Sequence, residues 1–212
     1  MSKNSLSRHQ MSAHGLTFLK ASHPVIKTLK DSVGDANLHG NKVWDSSFVL
    51  MDYLLIDPIP EERVVFDIGC GWGPTSLFLM SQFQSRVMSI DADDSVEPYL
   101  QLHGELNMLK PVFWQRKIKQ LKTADLSMAD TVVGGDICFW DSLADEWKTL
   151  IKRAKKAGVR QILIADPGRQ PFYDLADWAV KKHNAELWEH DITKPVKATS
   201  YVLDIPLNSD DV

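Results

Sequence analysis

Residues 64–74 read VVFDIGCGWGP. An apolar run of strand length meets an acid, three glycines then alternate with other residues, and a proline follows. Such a run, ended by a glycine-rich turn and followed by a proline where a first helical turn would begin, specifies a strand–turn–helix unit. The alternation continues to the end of the chain. Strands are expected at 64–67, 86–91, 112–115, 131–134, 161–166, 185–189 and 200–205, with helices at 74–84, 95–108, 141–157 and 171–183. Strands and helices alternating at this spacing imply an α/β chain with a doubly wound, mostly parallel sheet and helices on both faces. Only the segment DITKPVKAT separates the last two strands. It is too short for a crossover helix, so the C-terminal strand is expected to run antiparallel.

Ahead of this unit the pattern is weaker. Residues 1–22 show little periodicity and are expected to form a loose arm. A short helix is expected over 23–34, with Val25, Ile26 and Leu29 inward and Gly34 as its stop, followed by a loop over 35–42. Residues 43–56 read as a helix with Asp45 or Ser46 as N-cap and Phe48, Leu50, Met51, Leu54 and Leu55 inward. The terminal NSDDV is expected to be a frayed acidic tail.

In doubly wound sheets ligands sit beyond the carboxyl ends of the strands, beside the point where strand order reverses. Here those ends are 67–73, 91–93, 115–117, 134–136 and 166–169. Two cofactor classes compete for the glycine loop. Dinucleotides use G-x-G-x-x-G, whose third glycine falls on Pro74 when counted from Gly69 and Gly71. The acid Asp67, immediately before the loop, would repel a pyrophosphate and favour a cationic ligand. S-adenosylmethionine (SAM) carries an amino group and a sulfonium and no phosphate. Gly69 and Gly71 would let the backbone approach such a ligand without a Cβ in the way. Asp91, at the end of the next strand, is placed to accept from both hydroxyls of a ribose, which suits NAD and SAM alike.

With these residues in view, FDIGCGWG, SIDADD and VVGGDICFWD resemble motifs of the class I SAM-dependent methyltransferases, which have a Rossmann-like fold. The segment VWDSSFVLMDYL resembles the lead-in helix of the seven-β-strand protein-lysine methyltransferases. GGDICFWDSLAD followed by LIADPGRQPF is most similar to the electron-transfer-flavoprotein β-subunit lysine methyltransferase and its bacterial relatives. The resemblance covers about residues 40–175. It implies a methyltransferase domain over 44–212, with residues 1–43 as an arm and short helix closing the cleft. It implies that Trp44 packs near SAM and that Asp67, Gly69, Cys70, Gly71 and Gly73 form the SAM loop. Asp91 with Ala92 would hold the nucleoside, and Gly135 would lie against the cofactor. Asp136 would open the D-x-x-Y/F signature, which makes Asp136 and Phe139 the candidate catalytic pair. No metal is implied. Phe139 stands where many relatives carry tyrosine, and QRKIKQL (115–121) lacks an initial acid or asparagine for the adenine amine.

For an amine acceptor, Asp136 could orient the nucleophile and take up positive charge, and the rings of Phe139 and Trp140 would favour a cation through their faces. The plainer alternative is that Asp136 caps the helix that starts at Asp141 and that the rings are core. Arg169 is expected either to meet an acidic feature of the substrate or to lock its loop to a carboxylate. Trp72 is expected to shield the cofactor or to pack on the lead-in helix, and His39 to be a loop residue. The resemblance implies a protein lysine as the acceptor. A small-molecule N- or O-methyltransferase, a SAM-binding protein without activity and a dehydrogenase are the alternatives. The formal charge of −4, from 24 basic and 28 acidic residues, does not favour nucleic acid. The N-P-P-Y of base methyltransferases is absent. No apolar run approaches a membrane span. The two cysteines, Cys70 and Cys138, without a secretory apolar region at the N-terminus, suggest a cytoplasmic setting.

Overall fold

The computed structural model describes residues 8–33 and 40–208. The expected stop at Gly34, most of the 35–42 loop with His39, and the end of the acidic tail lie outside the described residues. Among those described, the strands are β1 (Gln10–Ala13), β2 (Leu16–Leu19), β3 (Val64–Ile68), β4 (Arg86–Asp91), β5 (Val112–Gln115), β6 (Thr131–Gly135), β7 (Gln161–Asp166), β8 (Glu186–Ile192) and β9 (Ala198–Pro206). The α-helices are α1 (Pro24–Val33), α2 (Asp45–Ile56), α3 (Pro74–Gln82), α4 (Glu97–Leu106), α5 (Thr123–Leu126), α6 (Asp141–Ala157) and α7 (Gln170–His183).

Strands β3 to β9 form one sheet in the order β5-β4-β3-β6-β7-β9-β8. Pairing is parallel from β5 through β7, and β9 runs antiparallel to both β7 and β8. This is the doubly wound sheet with an antiparallel C-terminal strand that the alternation implied. Strand order reverses between β3 and β6, so the carboxyl ends of these two strands flank the crevice where such sheets bind ligands. The sheet's two faces bury alternate residues. Val65, Val87, Val133 and Leu163 face α2 and α3, while Phe66, Ile68, Val132 and Ile162 face α6 and α7. Period-two alternation of this kind sends successive side chains to opposite layers.

Two expectations at the N-terminus are corrected. Residues 10–19 are not a loose arm but a hairpin, β1–β2, turned at His14 and Gly15, whose φ angles are 49° and 83°. Positive φ at both central residues is what a two-residue hairpin needs to match strand twist. The open edge of β2 is closed by side chains of α4. Leu19 N–H donates to His103 Nε2 (3.0 Å), Thr17 N–H donates to Asn107 Oδ1 (2.8 Å), and Asn107 Nδ2 donates to Thr17 O (2.9 Å). His103 Nδ1 donates in turn to Tyr99 O, so the ring serves as a neutral donor–acceptor, and burial pushes its pKa down to about 4. Hairpin residues Leu16, Phe18 and Leu19 are buried in the same cluster as α2.

Helix α2 is the second correction. It is buried from Ser46 to Leu54 on nearly every side, save Asp52, because the sheet covers one face and the hairpin, through Phe18 on Phe48 at 5.7 Å, another. Neither Asp45 nor Ser46 is its N-cap. Trp44 holds that position with no side-chain cap, and the N–H of Ser46 donates across the fold to Asp136 Oδ2 at 3.3 Å. Leu55 and, in α1, Val25 face solvent and not the core. No helix among the described residues is long and apolar enough to cross a membrane.

Candidate active site

A cleft of about 360 Å³ opens at the switch point, within the range for small-molecule sites. Its floor is the glycine loop between β3 and α3. Gly69 N–H and Cys70 N–H both donate to Ile90 O, which ties the loop to β4. Gly71 N–H donates to Asp91 Oδ2 (3.0 Å) and Asp93 N–H to Asp91 Oδ1 (3.0 Å). Asp91 is therefore a fixed acceptor on the cleft wall, with burial raising its pKa against these hydrogen bonds. Gly71 has φ +51°, and a Cβ built on it meets no atom within 4 Å. Because Gly71 lines the cleft, any larger side chain there would project into the space a ligand needs.

The expected cofactor residues separate into two groups. Trp44, Gly69, Gly71, Asp91, Ala92 and Gly135 line the cleft, as do Asp136 and Phe139. Asp67, Cys70 and Gly73 do not. Gly73 opens α3 in the left-handed region, and a Cβ there would stand 2.0 Å from Leu100 Cδ1, so this glycine serves helix packing. Cys70 is buried, with its thiol pKa raised by desolvation. Asp67 lies beneath the loop at 2% exposure. It accepts from Ser76 Oγ at 2.6 Å, and Ser89 Oγ donates to Ser76 Oγ at 2.7 Å. Burial pushes the pKa of Asp67 up to about 7. It braces the loop from below, and it is not a face the ligand meets.

One end of the cleft is walled by Arg116, Lys117, Ile118 and Lys119, opposite Leu143 and Glu146. Sequence reasoning flagged 115–117 as a strand end and 115–121 as the segment lacking an adenine-binding acid, and it missed Leu143 and Glu146. Their i, i+3 spacing at the start of α6 was the available signal. Arg153 pins this wall by donating to Lys119 O (3.2 Å) and Leu121 O (3.0 Å).

The other end holds Gly40, Trp44, Asp136, Phe139 and the half-exposed Trp140. Asp136 is 5% exposed and has φ +56°, a left-handed conformation that asparagine and aspartate tolerate better than other side chains. Its carboxylate is held twice, by Ser46 N–H at Oδ2 and by Arg169 Nη2 at Oδ1 (2.9 Å). Arg169 also reaches Asp166 Oδ2 through Nη1 (2.8 Å), and its guanidinium lies 4.2 Å from the centroid of Phe139. Trp44 meets Phe139 edge-on at 5.9 Å, and Lys42 Nζ lies 4.3 Å from the Trp44 ring centroid. The cap that Asp136 provides thus serves α2, not the helix from Asp141, and Arg169 locks carboxylates. Trp72 does not line the cleft and is buried in the same cluster as the lead-in helix. It stacks on Tyr99 at 4.7 Å and on His103 at 5.7 Å, and its Nε1 donates to Gly40 O.

Strand order, antiparallel β9 and the switch-point cleft together define the fold of the class I, Rossmann-like methyltransferases. Solved structures agree at fold level. A SAM-dependent methyltransferase from Agrobacterium tumefaciens matches with a TM-score of 0.67 and 12% identity, over 94% of this chain and 70% of that one. The Pyrococcus abyssi tRNA (uracil-54, C5)-methyltransferase, solved with S-adenosyl-L-homocysteine, matches with a TM-score of 0.60 and 15% identity, over 92% of this chain and 43% of that one. In sequence, the chain is similar to the electron transfer flavoprotein β subunit lysine methyltransferase of Homo sapiens. The two are 30% identical over 130 residues, which is 61% of this chain and 49% of that protein. Four further relatives of the same name share 24% to 28% identity. The resemblance read in the motifs holds in these comparisons. The chain spans about half the length of the human relative, and no protein-family model matches it.

Proposed function

We propose that this protein is a SAM-dependent methyltransferase that methylates a lysine side chain of a protein. The observation that carries the reading is a single cleft joining two things. One is a glycine loop tied to a ribose-directed acid. The other is an acceptor end built from one carboxylate and two aromatic rings. The relatives' name supports the choice of acceptor.

The residues present fit SAM. The open face of Gly71 admits the ligand, Asp91 has lone pairs left for the ribose hydroxyls, and the 116–119 wall with Leu143 offers backbone and apolar surface to an adenine. SAM, when bound, supplies a methyl group on a sulfonium. The chain's work is then to align an amine in line with that methyl and to exclude water. Both oxygens of Asp136 already hold partners. Its contribution is therefore a carboxylate anchored beside the amine, with lone pairs left to accept from it. Phe139 presents a ring to the cation that forms.

The cytoplasmic setting belongs to the same proposal, in keeping with the two free thiols, Cys70 and Cys138. Closure of the cleft by the segment before Trp44 belongs there too, supported by Gly40 at its wall. The test is incubation with methyl-labelled SAM and cell lysate, followed by amino-acid analysis of the labelled fraction. Label is expected in protein as methyl-lysine. Label confined to small molecules would replace the acceptor class, and calorimetry showing NAD bound as tightly as SAM would replace the cofactor.

A further inference from the structure

The acceptor end of the cleft is held by a residue that does not itself line it. Arg169 begins in the loop after β7, where Asp166 is fully buried and accepts from Gly168 N–H (3.0 Å) and Arg169 N–H (2.9 Å) at Oδ1. This turn aims the guanidinium back toward β6. There Nη1 meets Asp166 Oδ2, Nη2 meets Asp136 Oδ1, and the plane lies against Phe139. Three interactions of one planar group fix two carboxylates and one ring. A lysine ammonium cannot reproduce that fork geometry.

Asp136 and Phe139 line the cleft, whereas Arg169 is absent from its walls and only a quarter exposed. We propose that Arg169 is the positioning residue of the acceptor site, setting the Phe139 ring and the Asp136 carboxylate in the pose that receives the methyl acceptor. This rests on the methyltransferase reading above for what the pose is used for, but not for the pose itself. Without Arg169, the backbone of Asp136 would keep a left-handed conformation with one fewer restraint. Asp166 and Asp136 would face each other with no cation between them. Asp166 is a buried acid already raised by desolvation and lowered by Arg169 through charge and hydrogen bonding, so loss of the guanidinium leaves its charge uncompensated. A displacement of about 1 Å at a reacting centre costs on the order of 10²-fold in rate.

The experiment compares wild type, R169A and R169K in three measurements. In the first, S-adenosylhomocysteine affinity should stay within about threefold for all three proteins, since the glycine loop and Asp91 lie elsewhere in the cleft. In the second, methyl transfer to the acceptor found by labelling should fall by on the order of 10²-fold in kcat for R169A. R169K should recover only a minor part, and added guanidinium ion should restore R169A but not R169K. In the third, 4-fluorophenylalanine is incorporated and the Phe139 resonance assigned by its loss in F139L. This fluorine signal should shift and broaden in R169A, and return with guanidinium.

An unshifted Phe139 signal in R169A, or full activity in that variant, overturns the proposal. So does an activity loss matched by an equal loss of S-adenosylhomocysteine affinity and untouched by guanidinium, which would mark an ordinary fold contact. If the wild type labels no protein lysine, the reading of function fails on its own, and the fluorine measurement still decides this one.

Discussion

The two halves of the cleft are made in different ways. The cofactor half is local: Gly69, Gly71 and Asp91 lie on adjacent strand ends, and backbone N–H groups do most of the holding. The acceptor half is assembled over distance. Ser46 meets Asp136 across 90 residues of chain, and Arg169 meets it across 33. A site made of backbone tolerates side-chain change except where a Cβ would intrude. A site made of side chains from three segments depends on each of them. On the proposed function the first would bind and the second would select and align, so damage to the two should separate cleanly into affinity and turnover.

Substitution at Gly71 should give the largest effect. Gly71→Val combines a branched side chain at φ +51° with an obstacle in the open cleft. Calorimetry should find SAM binding weakened by at least on the order of 100-fold, equivalent to about 2.7 kcal/mol. Affinity within a few fold of wild type would mean the loop is not where the ligand lies.

Next comes Asp136→Asn, which tolerates the left-handed conformation and keeps the shape but removes the charge. Turnover should fall by about 10²-fold or more, with SAM affinity changed little. Loss of SAM binding instead would erase the division between the halves and move Asp136 to the cofactor side.

Asp67→Asn should show the smallest effect on binding and turnover, and its consequence should lie in the pH dependence of stability. The folded-state pKa of about 7 lies well above the ordinary carboxylate range, because burial disfavours the charged form. The protonated acid therefore favours the fold below the unfolded pKa, and that contribution is lost as pH rises through about 7. Replacing Asp67 by Asn removes this slope. The stability difference between variant and wild type should move toward the variant by on the order of 3 kcal/mol from pH 4 to pH 8. Chemical denaturation at several pH values measures it, and parallel curves would mean that Asp67 is ionised in the fold throughout.

How far these halves were legible follows from their construction. The glycine loop, Asp91 and the mostly parallel sheet could be read because each is written within a few dozen contiguous residues as strand period, turn chemistry and helix start. β4, β5, β7 and α6 stand where their patterns placed them. Asp136 and Phe139 were identifiable as residues, but their partners were not. No local pattern states that Arg169 will bridge Asp136 and Asp166, or that Asp136 will cap α2. The hairpin was missed for the same reason. Four-residue strands carry almost no period, and the edge of β2 is completed by His103 and Asn107, 84 and 90 residues onward. Gly73 and Asp67 were misplaced in a different way, since a motif position does not reveal which side of a loop faces the ligand.

The grip of α4 on the hairpin has a consequence for how the chain comes into being on a ribosome. Leu16, Phe18 and Leu19 are made early, while Asn107, which clasps Thr17, follows 90 residues later. At about 5–20 residues per second, these apolar residues wait roughly 5–20 s for that partner. During that interval they offer an unpaired strand edge and a bare aromatic ring to whatever is nearby. The hairpin thus stays open to non-native contacts until α4 and Asn107 have been made, although in the folded molecule its apolar residues are buried.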